Sequence, residues 1–119
     1  MLSEEKIARL NEYIDTEEAL KRLMGSKAVF KKVLATYKNN SYAEKLIEDH
    51  NKGDIEEAVK SAHTLKGVAA NLSLKKIHEL SVKIEASLKS GSLCPEMIAE
   101  LDPEDNATRE YIEYLEETL

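Results

Sequence analysis

Ile55-Glu56-Glu57-Ala58-Val59-Lys60-Ser61-Ala62-His63-Thr64-Leu65-Lys66-Gly67-Val68-Ala69-Ala70-Asn71-Leu72 reads as one amphipathic helix. Its apolar side chains fall at positions 55, 58, 59, 62, 65, 69 and 72, a spacing that lines them along a single stripe. Gly53-Asp54 marks a stop and a new start just before it. At about 100° per residue, His63 stands well away from the centre of that stripe. Glu56, Lys60, Gly67 and Asn71 share its side. The imidazole therefore faces outward from a rigid element, with only Gly67 and Ala70/Asn71 one and two turns further on. A core histidine would have the opposite surroundings.

Working outward, the same punctuation recurs. Ser3 suits an N-cap ahead of Glu4, Glu5 and the apolar set Ile7, Leu10, Ile14. Asp15 caps a short helix carrying Ala19, Leu20 and Leu23, which Gly25 ends. Ser26 opens a segment with Val29, Phe30, Val33, Leu34 and Tyr37; it runs on through Ala43, Leu46 and Ile47 unless Lys38-Asn39-Asn40-Ser41 breaks it. Beyond a short connection near Ser73, a further helix carries Leu74, Ile77, Leu80, Ile84 and Leu88 and stops at Ser90-Gly91. Pro95 and Pro103 each suit the first turn of a helix, with Asp102 capping the second. The last helix carries Ile112, Leu115 and Leu119.

No segment alternates with period two between turn residues, so no strand is expected. Long amphipathic segments with short connections predict an all-α fold, an antiparallel four-helix bundle with one or two short extra N-terminal helices. With 119 residues and no repeat or linker, the chain reads as one domain over 1–119. There is one Phe and no Trp, so the core must be aliphatic.

Composition excludes several roles. A formal net charge of -6 argues against nucleic acid or an anionic membrane surface as the main partner. No apolar run approaches the ~20 residues of a membrane span, and the N-terminus lacks the basic start and apolar centre of a signal peptide. Cys94 is alone, so no internal disulfide forms; it reads as a loop or helix-start residue. A cytoplasmic protein, or a cytoplasmic piece of a larger one, is expected.

On the histidine face, Gly67 carries information because glycine inside a helix costs roughly 0.5–1 kcal/mol relative to alanine. Pointing away from the core, it favours close approach by a partner over tight packing within the chain. Lys66 lies at the boundary with its ammonium free to reach outward. If the following helix folds back from Ser73, residues 82–86 come opposite His63, and Glu85 is among them. A carboxylate there would accept from one ring nitrogen and leave the other's lone pair exposed. A solvated glutamate on a helix flank is the other reading, and both stand at this point. His50, at a helix C-terminus, reads as a capping residue, and His78 as a boundary residue. The five tyrosines read as core-edge residues. The sequence carries no metal-site signature, phosphate-binding glycine loop or nucleophile elbow.

Ala62-His63-Thr64-Leu65-Lys66-Gly67-Val68-Ala69-Ala70-Asn71-Leu72, followed by Leu80 and Ile84-Glu85, resembles the histidine-containing phosphotransfer (HPt) domain of multistep two-component phosphorelays. Ile14-Asp15, Ala19-Leu20, Arg22-Leu23, Gly25, Phe30, Leu34 and Gly53-Asp54 are similar too. The likeness runs from about residue 14 to 91. Ser73 departs from it, standing where many members have glycine. The resemblance implies a four-helix bundle with His63 phosphorylated, Lys66 and Gly67 beside the phosphohistidine, and Glu85 hydrogen-bonded to the imidazole.

The implied chemistry is in-line transfer between His63 and receiver-domain aspartates, with Lys66 stabilising phosphoryl charge and Lys60 assisting. Lys60, Gly67, Ala70 and Asn71 form the expected docking face. The resemblance implies response-regulator receiver domains and a hybrid sensor histidine kinase as partners. No cofactor is expected on this domain; Mg²⁺ belongs to the receiver. The chain is expected to act as a monomer without ATP-dependent kinase activity. The alternatives are an unphosphorylated helical adaptor using the same face and, further off, a small hydrolase with His63 as general base.

Overall fold

The computed structural model describes residues 2–119, and α-helix is the only extended regular structure among them. Eight helices follow in order: α1 Glu4–Ala8, α2 Leu10–Tyr13, α3 Thr16–Arg22, α4 Lys27–Lys38, α5 Tyr42–Asn51, α6 Ile55–Leu72, α7 Lys75–Lys89 and α8 Pro95–Thr118. The predicted caps form at four starts. Ser3, Asp15, Ser26 and Asp54 each accept the backbone N–H three residues on.

Helices α5 to α8 make the bundle: each packs on the next, and α8 returns to α5. Helix α6 lies between α5 and α7. Half of its buried positions are alanine (Ala58, Ala62, Ala69), whose small side chains let two neighbours come close. Leu65 and Leu72 share one buried cluster with Ile77, Leu80, Ile84 and Leu88 of α7. The expected short helices precede the bundle as three, α1 to α3, in place of one or two. The Ser3 segment divides at Arg9, and Tyr13 of α2 stacks on Tyr111 of α8 at 4.9 Å.

The Ser26 segment does break where Lys38-Asn39-Asn40-Ser41 allowed it. Arg109 of α8 donates to the carbonyls of Lys38 and Asn40 at 2.6 and 2.8 Å, neutralising the negative end of α4. Its Nε also holds Asp105 Oδ2 at 2.8 Å, while Tyr37 Oη donates to Asp105 Oδ1 at 2.5 Å. Burial first, then the Asp105 carboxylate, pushes the Tyr37 phenol far above its ordinary value. Tyr37, Tyr13 and Tyr111 are therefore core residues, correcting the core-edge reading. Single-sequence spacing does not show which polar partner will come to meet a buried hydroxyl.

Two further expectations are corrected. Pro103 does not open a new helix and Asp102 does not cap one: α8 runs unbroken from Pro95 to Thr118 with Pro103 inside it. Interior proline is costly by about 3 kcal/mol. Ile98 and Leu101 before it, and Thr108, Ile112 and Leu115 after it, are buried against the rest of the molecule. That burial keeps the axis continuous. The His50 side chain does not cap the C-terminus of α5. It is buried, its Nε2 accepts the backbone N–H of Cys94 at 3.0 Å, and its Nδ1 lies 3.1 Å from Asn51 Oδ1. Because Nε2 accepts, the ring proton sits on Nδ1 and donates to Asn51. Cys94 itself is the helix-start residue expected, and burial pushes its thiol up.

The α6–α7 turn sets the site's register. Ser73 adopts the left-handed conformation (φ 54°, ψ 39°), which for an L-residue costs roughly 1–2 kcal/mol relative to ordinary helix. This backbone explains why glycine would suit the position. Three interactions hold Ser73 there: its N–H reaches Ala70 O at 3.3 Å, its carbonyl accepts from Asp15 N–H at 3.0 Å, and its Oγ donates to Glu18 Oε1 at 3.0 Å.

Candidate functional site

Helix α6 delivers His63 to the surface, as its position outside the apolar stripe required. The side chain is 70% exposed, whereas Ala62 beside it is fully buried. The turn at Ser73 folds α7 back antiparallel and brings Glu85 opposite. Glu85 Oε2 lies 2.8 Å from His63 Nδ1, and Lys66 Nζ donates to Glu85 Oε1 at 2.5 Å. Glu85 is only 6% exposed, so the flank reading gives way to a buried carboxylate with both oxygens engaged.

Burial alone would raise the Glu85 pKa. The hydrogen bonds from Lys66 and His63, and the charges of Lys66 and Lys89, outweigh it and hold the group below its ordinary carboxylate value. An ionised Glu85 accepts only, so His63 Nδ1 must be the donor. In the neutral imidazole the proton is thereby fixed on Nδ1, and Nε2 is the nitrogen that carries the lone pair.

The other candidate residues divide. Gly67 is exposed, and a Cβ built there would meet nothing within 4 Å. The glycine is thus not explained by packing inside this chain. Asn71 is exposed and Ala70 half-buried on the same helix. Asn71 and Val68 border a groove of about 500 Å³ whose walls include Leu23, Val33 and Tyr42. Lys60 is not drawn toward His63; it pairs with Glu57 at 3.3 Å on its own helix.

Two groups escaped sequence reasoning. Lys89 lies 3.8 Å from Glu85 Oε1. Its position four residues after Glu85 was a usable signal once that glutamate was in question. Ser61 donates to Asp49 Oδ2 at 2.6 Å, and Lys45 reaches the same oxygen at 2.9 Å. The Ser61 bond clamps α5 to α6 next to the site, and both bonds hold the Asp49 carboxyl low. Nothing along α5 pointed to that contact.

Among the described residues, no group of three or more His, Cys, Asp or Glu side chains is placed to hold a metal ion, and no helix is long and apolar enough to cross a membrane. Fold and site together define a helical bundle that presents a single imidazole braced by a buried carboxylate. Residues 27–118 match the Hpt domain family, and the chain belongs to that family. Comparisons with curated proteins and with solved structures returned no match. Hpt domains serve histidine phosphotransfer in phosphorelays, where they interact with receiver domains.

Proposed function

We propose that His63 is the phosphorylated residue of this Hpt domain. It takes a phosphoryl group from a receiver-domain aspartyl phosphate and passes it to another receiver aspartate. The observation that carries this reading is an exposed His63 side chain whose Nδ1 is held by the buried Glu85 carboxylate, which leaves Nε2 as the nitrogen for attack.

In the forward step the Nε2 lone pair attacks phosphorus in line. The Nε2–P bond forms, the P–O bond to the aspartate breaks, and the carboxylate leaves with that electron pair. No proton need move: Nδ1 keeps its hydrogen, and the ring gains the positive charge that the departing carboxylate balances. That charge develops 2.8 Å from Glu85 Oε2, so a fixed buried anion meets it as it forms. Lys66, three residues from His63 on the same helix, supplies a cation for the phosphoryl oxygens. Lys60 stands further off as an assisting charge.

Docking is proposed on the face of Gly67, Ala70 and Asn71. Bare backbone at Gly67 lets the receiver come close, and the adjoining apolar groove offers contact area. The proposed partners are response-regulator receivers and the receiver of a hybrid sensor histidine kinase. The domain acts in the cytoplasm as a monomer, binds no cofactor, and relies on Mg²⁺ held by the receiver.

The test is incubation with a phosphorylated receiver, using the native chain and its His63→Gln, His50→Gln and His78→Gln variants. Acid-labile, alkali-stable label should be lost only with His63→Gln. Label persisting in that variant would refute the assignment. Binding without any label in the native chain would favour the adaptor.

A further inference from the structure

We infer that Lys89 is a positioning residue that replaces Lys66 on Glu85 when the site is phosphorylated; this rests on His63 being the acceptor. The two lysines share one oxygen. Lys66 Nζ holds Glu85 Oε1 at 2.5 Å, and Lys89 Nζ waits 3.8 Å from the same atom. Lys66 is 30% exposed and Lys89 60%. Glu85 is the only ion-pair partner of Lys89 among the described residues.

The elements decide which lysine moves. Lys66 rides on α6, three residues from His63, and its ammonium meets the same carboxylate as the ring. Lys89 rides on α7, four residues after Glu85, so it stays with the carboxylate. Glutamate followed by lysine at that spacing is the favourable order for a helical ion pair.

Phosphorylation places a dianionic group on Nε2, and Lys66 is the cation on the same helix best placed to answer it. If Lys66 turns to the phosphoryl oxygens, Oε1 of a buried carboxylate loses its hydrogen bond. Leaving such an acceptor bare is costly. Lys89 removes that cost by closing about 1 Å to hydrogen-bonding distance. Glu85 then keeps a partner on each oxygen, and its grip on Nδ1–H survives the change of state. Each cation is thereby matched to the anion on its own helix.

The test needs no receiver. Phosphoramidate phosphorylates the imidazole directly: the Nε2–P bond forms, the P–N bond breaks, and ammonia leaves with the proton it requires from water. In protein with ¹⁵N-labelled lysine and ¹³C-labelled glutamate, NMR coupling across the hydrogen bond reports which Nζ is bonded to the Glu85 carboxylate. Before phosphorylation the coupling should belong to Lys66, and afterwards to Lys89. In the phosphorylated Lys89→Gln variant, the Nδ1 proton should exchange with water several-fold faster than in the native chain, and Lys89→Arg should restore slow exchange. Coupling that stays with Lys66, or Nδ1 exchange indifferent to Lys89→Gln, would overturn the handover alone. Phosphoramidate modifying His50 or His78 but not His63 would overturn the acceptor assignment as well.

Discussion

Glu85 Oε2 and His63 Nδ1 lie 2.8 Å apart across the α6–α7 hairpin, although 22 positions separate them in the chain. One carboxylate, 6% exposed, orients an imidazole that is 70% exposed. The buried partner supplies rigidity and the exposed one supplies access. Because Lys66 occupies the other oxygen, Glu85 is held against rotation, and the ring inherits that order. Preorganisation of this kind is most of what a phosphoryl carrier can contribute.

Acid should loosen this arrangement. The folded protein holds the Glu85 carboxyl below its ordinary value of 4.5, and Asp49 below 3.8. A carboxyl with a depressed folded pKa stabilises the fold above its unfolded pKa. That contribution fades as pH falls through the folded value. Thermal melting followed by circular dichroism should therefore show stability declining from about pH 5 toward about pH 3. Glu85→Gln should decline less steeply over that range. Parallel acid limbs for the two proteins would contradict the assigned ionisation.

Gly67 offers a test in which stability and binding move in opposite directions. Among the described residues a Cβ there meets nothing within 4 Å, so Gly67→Ala should stabilise the helix by about 0.5–1 kcal/mol. Gly67→Leu should fold equally well but bind a receiver at least about tenfold more weakly, roughly 1.4 kcal/mol. Urea unfolding and titration calorimetry on the same samples check both arms. Unchanged affinity in Gly67→Leu would remove the close-approach argument.

Replacing His50 with leucine should destabilise the protein without affecting phosphotransfer. The substitution leaves the buried Cys94 N–H without its acceptor at the start of α8, a loss of about 1–3 kcal/mol. Denaturant unfolding should register it. Phosphate uptake measured where the variant is still folded should match the native chain.

Ser73→Val should cost more than its conservative size suggests. A β-branched residue is poorly suited to the left-handed conformation at the α6–α7 turn, and about 1–2 kcal/mol should be lost. Loss of the Ser73 hydroxyl also releases Glu18. Urea unfolding reads the combined effect; a variant as stable as the native chain would show that the turn is not strained.

Much of this molecule was legible in one dimension. Apolar spacing, with Ser3, Asp15, Ser26 and Asp54 as caps, located the helices because those signals are local. The outward direction of His63 followed from the stripe formed by Ala58, Ala62, Leu65 and Ala69. Local rules failed where distant residues intervened. Pro103 reads as a helix start until burial on both sides of it keeps α8 continuous. His50 reads as a cap until the Cys94 amide arrives from 44 positions away. Tyr37 reads as a core-edge residue until Asp105 and Arg109 close over it.

By itself, the sequence determined an all-helical chain with one imidazole outside its apolar stripe, because helical periodicity is a property of neighbours three and four residues apart. Only the tertiary structure decided that Glu85 is buried and ionised, that Lys66 and Lys89 share its oxygen, and that Lys60 stays apart. Those outcomes depend on how α7 lies against α6, and the shared carboxylate draws its partners from both helices.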